Sequence, residues 1–312
     1  MPHIIALIVF LLCNTLHAKV EDHLRKITNK TEGHSLENID FIYLINLDER
    51  PEKYQLSIEQ LTPYGIIPFR FSAVNGWKLS LEEINALATP YETRMGSGPW
   101  GTYYPLDGDG GPQHEVMQVP GRPYFAHCLS KGAIGILLSH LSILKDAYDS
   151  GYETIWVFED DIEVVQDPRV IPQLIKDLDE AVGKEGWDIL FTDIDAKSYD
   201  GSSVPCFSYA WRPDIPDIDY ERFARKNDVG THFTQVGSRY GAHSMIIRRS
   251  GIEKLLDFYK TRSLFLPIDM EYTLPADIKL FSLKEDVISV VKHAISDNGA
   301  PYYLNKNKSS KK

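Results

Sequence analysis

A chain of 312 residues with 43% hydrophobic content is long enough for one sizeable domain plus an appendage and too apolar to be globally disordered. Its formal net charge of -11 excludes nucleic acid as a main partner, because that partner calls for a basic face. An acidic protein that handles a nucleotide would rely instead on a metal and a few placed cations.

In chain order, residues 1–18 come first. They carry the apolar run Ile4 to Cys13, followed by Ala18 and the charged KVEDHLRK. The run falls short of the ~20 residues that span a bilayer. It predicts a signal peptide cut after Ala18, or an uncleaved membrane anchor. Residues 19–39 are polar and read as a linker. Cys128 and Cys206 remain after such a cut, either as one disulfide or as two ordinary thiols. Asn29-Lys30-Thr31 and Asn307-Lys308-Ser309 are glycosylation acceptor patterns.

The main domain is expected over 40–300. DFIYLINL (40–47) reads as a buried strand. Pro51 suits the first turn of a helix in which Tyr54, Ile58 and Leu61 recur at helical spacing, with Gly65 at its end. IIPFRF (66–71) reads as a second strand, so the domain opens β-α-β and favours a parallel sheet. Residues 90–127 form a long insert, dense in Gly, Pro and aromatics, that reads as a loop. Its Trp100, Tyr103 and Tyr104 either stack on a sugar face or anchor the insert on its own scaffold. Residues 131–150 predict a helix that is apolar nearly all round, ended by Gly151, with His140 inside it in need of a partner. TIWVF (154–158) is a strand, and WDILFT (187–192) is another that ends at Asp193 and Asp195. SMIIRR (244–249) is a strand followed by a helix, and VISVVK (287–292) reads as the last core strand. Residues 301–312 are predicted to be a disordered basic tail.

Glu159, Asp160 and Asp161 follow TIWVF directly. Adjacent carboxylates repel, and burying them is costly. The triplet is therefore either a solvated strand end or a cation site. The C-terminal edge of an open α/β sheet is where ligands bind, which favours the second reading. Hard oxygen ligands suit Mg²⁺ or Mn²⁺ held by one or two carboxylates together with substrate phosphates. Such an ion neutralises the charge that develops on a departing diphosphate.

YLINLDERPEKYQ (43–55), LSKGAIGILLSHLSILKDAYDSGYETIWVFEDDIE (129–163), SRYGAHSMIIRRSGIEKLL (238–256) and PIDM (267–270) resemble, in order, the conserved blocks of glycosyltransferase family 25. The family includes bacterial lipooligosaccharide galactosyltransferases and procollagen galactosyltransferases. The resemblance runs over about residues 40–295, outside the insert. It implies a GT-A-like α/β fold, a Rossmann-like nucleotide-binding mixed sheet flanked by helices with an acceptor-binding half. It also implies a UDP-sugar donor, most often UDP-galactose, transfer with inversion, and Mn²⁺ or Mg²⁺ as cofactor. The acceptor is then a glycan, a lipid-linked glycan or a protein.

Residue by residue, Asp161 matches the metal ligand, Asp160 the ribose contact, and Glu159 the first acid of the motif. Asn46, Asp48 and Arg50 match the loop after the first strand that meets the nucleotide. Ser139 and His140 match a Ser-His pair, although His140 also reads as a core histidine that fixes the neighbouring strand. Asp269 matches the acid that deprotonates the acceptor, and reads equally as a helix N-cap. Asp193 and Asp195 are the alternative acids. His293 follows the last strand, where a further metal or diphosphate ligand is expected. The helix departs from the family's Gly-Glu-Ile-Gly-Cys, reading Gly132-Ala133-Ile134-Gly135-Ile136. A metal-dependent phosphohydrolase and a non-catalytic sugar-binding module are the competing readings. With a leader present, the expected location is the lumen of the secretory pathway or a membrane surface, with catalysis on the cytosolic face as the alternative.

Overall fold

A computed structural model describes residues 20–304 apart from 97, 108–109, 196–201, 203–210, 216–218 and 293. The leader, Cys206, His293 and the Asn307 pattern lie outside the described residues. Among those described, no helix is long and apolar enough to cross a membrane.

The chain opens with β1 (Phe41–Asn46), α1 (Pro51–Leu61) and β2 (Phe69–Ser72), with β1 and β2 parallel as the β-α-β pattern requires. Pro51 stands in the first helical turn, and Gly65 takes the left-handed conformation, φ 72°, that its lack of a Cβ permits. Then come α2 (Leu81–Leu87), β3 (Thr89–Pro90), β4 (Trp100–Tyr103), β5 (Gln113–Val116), β6 (Pro123–Ala126), α3 (Lys131–Asp149), β7 (Thr154–Phe158) and β8 (Ile162–Val164). The second half holds α4 (Ile171–Val182), β9 (Ile189–Phe191), β10 (Lys226–Val229), β11 (Phe233–Val236), β12 (Ser244–Arg248), α5 (Arg249–Lys260), α6 (Ile268–Glu271), β13 (Leu280–Leu283) and β14 (Ile288–Val290).

The main sheet has eight strands in the order β10-β11-β13-β9-β12-β7-β1-β2. β2, β1, β7, β9 and β13 share one direction, and β12 runs against its neighbours β7 and β9. Successive residues of the central strands alternate between two cores. Tyr43, Ile45, Ile155 and Val157 pack with α3 and α5 on one face. Ile42, Leu44, Trp156 and Phe158 pack with α4 on the other. Coverage of both faces explains why β1 and β7 are unbroken apolar runs. This mixed sheet flanked by helices is the GT-A-like arrangement, and it brings the ends of β1, β7 and β9 to one edge.

The structure corrects two readings. The insert is not a loop: β3, β6, β4 and β5 form an antiparallel sheet of four strands. Tyr104 is buried, and Tyr103 meets Tyr124 edge-on beneath the Arg122 guanidinium, so these rings anchor the insert while Trp100 stays 58% exposed. VISVVK is not a core strand either. β14 pairs with β8 in a separate two-stranded ribbon, and β13 is the last strand of the main sheet. An apolar run reports burial but not its partner.

Two glycines set the approach of α3 to the strand edge. A Cβ on Gly135 would collide with the Val74 carbonyl, and one on Gly132 with the Asn298 backbone. Gly135→Ala is therefore expected to destabilise the protein by about 1–3 kcal/mol through overpacking, read from chemical denaturation. A neutral result would show that the 74–76 loop yields freely.

Candidate active site

β1 ends at Asn46, which is buried and makes four polar contacts. Its Nδ2 donates to the Arg50 carbonyl at 2.9 Å and to Asp160 Oδ2 at 2.6 Å. Its Oδ1 accepts from Arg70 Nε at 2.9 Å and Nη2 at 2.7 Å. One turn into α1, Lys53 Nζ lies 3.6 Å from Asp160 Oδ1. β7 ends at Phe158, and the three acids turn out of the sheet beside these groups.

The acids are unequally compensated. Burial would raise the Glu159 carboxyl, but the hydrogen bond and charge of His140 hold it below the ordinary carboxylate range. The ionised carboxylate can only accept, so His140 Nε2 donates to Oε1 at 3.0 Å, and its Nδ1 is hydrogen-bonded with the Tyr272 hydroxyl at 2.9 Å. Burial raises Asp160, opposed by Lys53 and by the Asn46 amide. Asp161 is pushed up to about 6 by burial and then by the charge of Glu159. Among the described residues its Oδ1, which is buried, has no hydrogen-bond partner. Such an atom is costly unless something else meets it. β14 fixes the loop behind it, because Val291 N donates to the Asp161 carbonyl at 2.8 Å.

These residues frame a cleft of about 90 Å³ lined by Asn46, Lys53, Glu159, Asp160, Asp161 and Asp297, among others. It is narrow because residues 296–298 lie across it. Asp297 forms a buried ion pair with Arg50 and sits 4.0 Å from Lys53. Trp77 Nε1 donates to the Asp297 carbonyl at 2.9 Å, and Ser130 Oγ donates to Asn298 Oδ1 at 2.7 Å.

The remaining expected residues are distributed as follows. Ser139 lines the cleft, with its hydroxyl donating to the Gly135 carbonyl at 2.7 Å and accepting from Val74 N at 2.8 Å. His140 is buried behind Glu159. Asp48 is exposed at the rim, held below its ordinary range by the Ser72 hydroxyl. Arg50 reaches the cleft through Asp297. Asp193 is buried between Arg239 Nη1 at 2.8 Å and His243 Nε2 at 2.7 Å. Those cations overcome the effect of burial and hold it far below the carboxylate range. Asp195 Oδ1 accepts from Tyr240 N at 3.3 Å. His293 lies outside the described residues. Among those described, no cluster of three or more His, Cys, Asp or Glu is arranged to hold a metal by itself.

Asp269 is not a cap, since Pro267 takes that position and Asp269 lies inside α6. Its Oδ2 accepts from Gly241 N at 3.1 Å. Burial raises its carboxyl, and the charge of Glu159 adds to this. The helix is fixed by Glu271, which takes both 2.7 Å hydrogen bonds of Arg212 Nη1. Sequence reasoning missed Lys53, Asp297, Tyr272 and His243. The position of Lys53 on the first turn after β1 is a usable signal, whereas Asp297 carries none.

Asp161 supplies a pH prediction. A carboxyl whose pKa is raised in the fold stabilises the protein below its unfolded value and loses that contribution as pH rises through about 6. In metal-free buffer, Asp161→Asn is expected to raise stability at pH 7.5 by about 1–3 kcal/mol. The advantage over wild type should shrink as pH falls from 6 to 4. A variant less stable than wild type at pH 7.5 would contradict this account of the site.

Comparison with known proteins agrees with the geometry. The family described as glycosyltransferase family 25 (LPS biosynthesis protein) matches residues 39–272. The "Inactive glycosyltransferase 25 family member 3" of Homo sapiens is 25% identical over 168 residues, covering 53% of this chain and 23% of that protein. The "Glycosyltransferase 25 family member" of Aedes aegypti is 27% identical over 153 residues, 49% of this chain and 21% of its own. "Procollagen galactosyltransferase 2" of Mus musculus is 26% identical over 155 residues, 49% of this chain and 20% of its own. The matched stretch thus spans a minor part of each of these relatives. With the four sequence blocks gathered on one sheet edge and the family match running from β1 through α6, the chain belongs to glycosyltransferase family 25.

Proposed function

We propose that this protein is a metal-dependent glycosyltransferase that moves a sugar from a UDP-sugar to a hydroxyl of a glycan or protein, with inversion. The observation that carries the proposal is the buried, unpartnered Oδ1 of Asp161 at the C-terminal end of β7, crowded by Glu159. A hard oxygen with excess negative charge and no donor fits a divalent cation such as Mn²⁺ or Mg²⁺. Among the described residues no group of three or more candidate ligands is arranged to hold a metal, which fits an ion that would be held jointly by Asp161 and a bound phosphate. When bound, the cation neutralises charge on the departing diphosphate. The name of the mouse relative favours galactose as the sugar, and the leader at 1–18 favours the secretory lumen or a membrane surface.

In this reading each side chain has a task. Lys53 and Arg50 face the phosphates, and Asp160, oriented by Asn46, accepts from the ribose hydroxyls. His140 and Tyr272 hold Glu159 in place. Asp269 takes the proton as the acceptor oxygen attacks the anomeric carbon. The bond from that carbon to the phosphate oxygen breaks, and its electron pair leaves with UDP. Burial and the neighbouring Glu159 raise the Asp269 carboxyl, which strengthens it as a base.

UDP affinity by calorimetry and UDP release from a panel of UDP-sugars, each with and without Mn²⁺, test this. Asp161→Ala is expected to weaken Mn²⁺-dependent release at least about 100-fold. Asp269→Asn should lower transfer about 10²–10⁴-fold while UDP affinity stays within a few-fold. Failure of UDP to bind the wild-type protein in the presence of Mn²⁺ would sink the transferase reading. Asp297→Ala removes a carboxylate that competes with the phosphates for Arg50 and Lys53, so it should tighten UDP binding several-fold. Weaker binding would instead make Asp297 part of the donor site.

A further inference from the structure

A second cavity, of about 430 Å³, is lined by Trp100, His127, Cys128, Trp211, Phe265 and Leu266, among others. It is built jointly. Trp100 comes from β4 of the inserted sheet, and residues 126–128 leave β6. Residues 265–270 run directly into α6. Ala126 N donates to the Phe265 carbonyl at 2.9 Å, which joins the two walls. The volume is within the range of pockets that hold small molecules. Asp269 directly precedes Met270, which is part of the cavity wall.

The lining selects the occupant. Among the described lining residues there is no Lys, Arg, Asp or Glu. A phosphate or pyrophosphate headgroup would therefore find no fixed cation in the described lining, where His127 is the one titratable nitrogen. Two indoles and a phenyl ring suit a flat, uncharged group with an apolar face and a polar edge. A pyranose ring is such a group. Trp100 is also 58% exposed, so its indole is open to a ligand entering the cavity.

Resting on the transferase reading above, we infer that this cavity is the acceptor subsite and that it takes the neutral terminal sugar of a glycan, with its hydroxyl directed to Asp269. The inserted sheet is then a specificity element, with Trp100 and Trp211 as binding residues.

The test uses the full chain with Mn²⁺ and the UDP-sugar that supports release. Methyl glycosides of galactose, glucose, xylose and N-acetylglucosamine are titrated as acceptors, alongside a hydroxylysine-containing collagen-like peptide. Product is detected by mass, and UDP affinity is measured calorimetrically in the same samples. At least one neutral glycoside is expected to be glycosylated with saturation. Trp100→Ala and Trp211→Ala should each raise its half-saturating concentration about tenfold, the scale of one lost aromatic contact. Trp100→Phe should recover most of that loss, and UDP affinity should not follow the same trend. If UDP binds and is released but only the peptide is glycosylated, the inference is overturned in favour of a protein acceptor. It is overturned equally if the alanine variants leave half-saturation unchanged. Absence of UDP binding would instead remove the transferase reading on which it rests.

Discussion

The arrangement depends on one electrostatic constraint: three consecutive carboxylates at the end of a buried strand cannot all be ionised without compensation. Each element around them answers part of that demand. α1 delivers Lys53 to Asp160, and the end of β1 delivers the Asn46 amide to the same carboxylate. α3 delivers His140 to Glu159, and the loop after α6 braces that histidine through Tyr272. Among the three acids, and among the described residues, Asp161 is the one with a buried oxygen that has no hydrogen-bond partner. In the proposed reading that imbalance is what a cation arriving with an anionic ligand would relieve.

The C-terminal segment works under the same constraint from the opposite sign. Asp297 supplies negative charge to the buried Arg50 and to Lys53, which lines the cleft. Its own Oδ1 is buried without a partner, so the closed arrangement carries a cost of its own. In the proposed reading, phosphates arriving in the cleft would bring the charge that Asp297 now provides, and the strap would lose its electrostatic reason to stay. The segment is attached by few contacts, through Trp77, Ser130 and the hydrogen bond from Asn75 to Tyr303. Gly132 on α3 leaves the space in which it rests. The sequence departure at 132–136 thus keeps both glycines that allow close approach, even though the acid and thiol of the family pattern are replaced.

Much of this was legible in the sequence because the signals were local. The apolar runs of β1 and β7 reported burial on both faces, Pro51 and Gly65 marked helix ends, and the acidic triplet followed its strand directly. What escaped was non-local. The pairing of β14 with β8, and not with the main sheet, depends on where the chain has already gone. The insert's strands are short and interrupted by Gly and Pro, so their alternation is too brief to distinguish from loop. Lys53 looked like one more surface lysine until its helix was placed beside Asp160. Asp193 looked like a candidate base at a strand end until Arg239 and His243 arrived from the segment leading into the neighbouring strand β12. In each case the residue type was visible and the partner was not.

Two buried ion pairs lie just outside the proposed chemistry. Breaking such a pair by removing one partner costs about 3–5 kcal/mol, whereas an apolar replacement of both is often neutral or better, so stability alone does not account for them. Their positions do. Asp193 holds His243, whose carbonyl accepts from Glu159 N at 2.9 Å and so sets the entry to the acidic loop. Glu271 binds Arg212 and also accepts from Phe265 N at 3.2 Å and Leu266 N at 2.8 Å. That fixes the turn that presents Asp269 and one wall of the second cavity. A helix of four residues has little intrinsic stability, and a carboxylate on it would not hold a defined position without such an anchor. Burying charge at these two points buttresses the acidic loop after β7 and the turn that presents Asp269, the two segments on which the proposed chemistry rests.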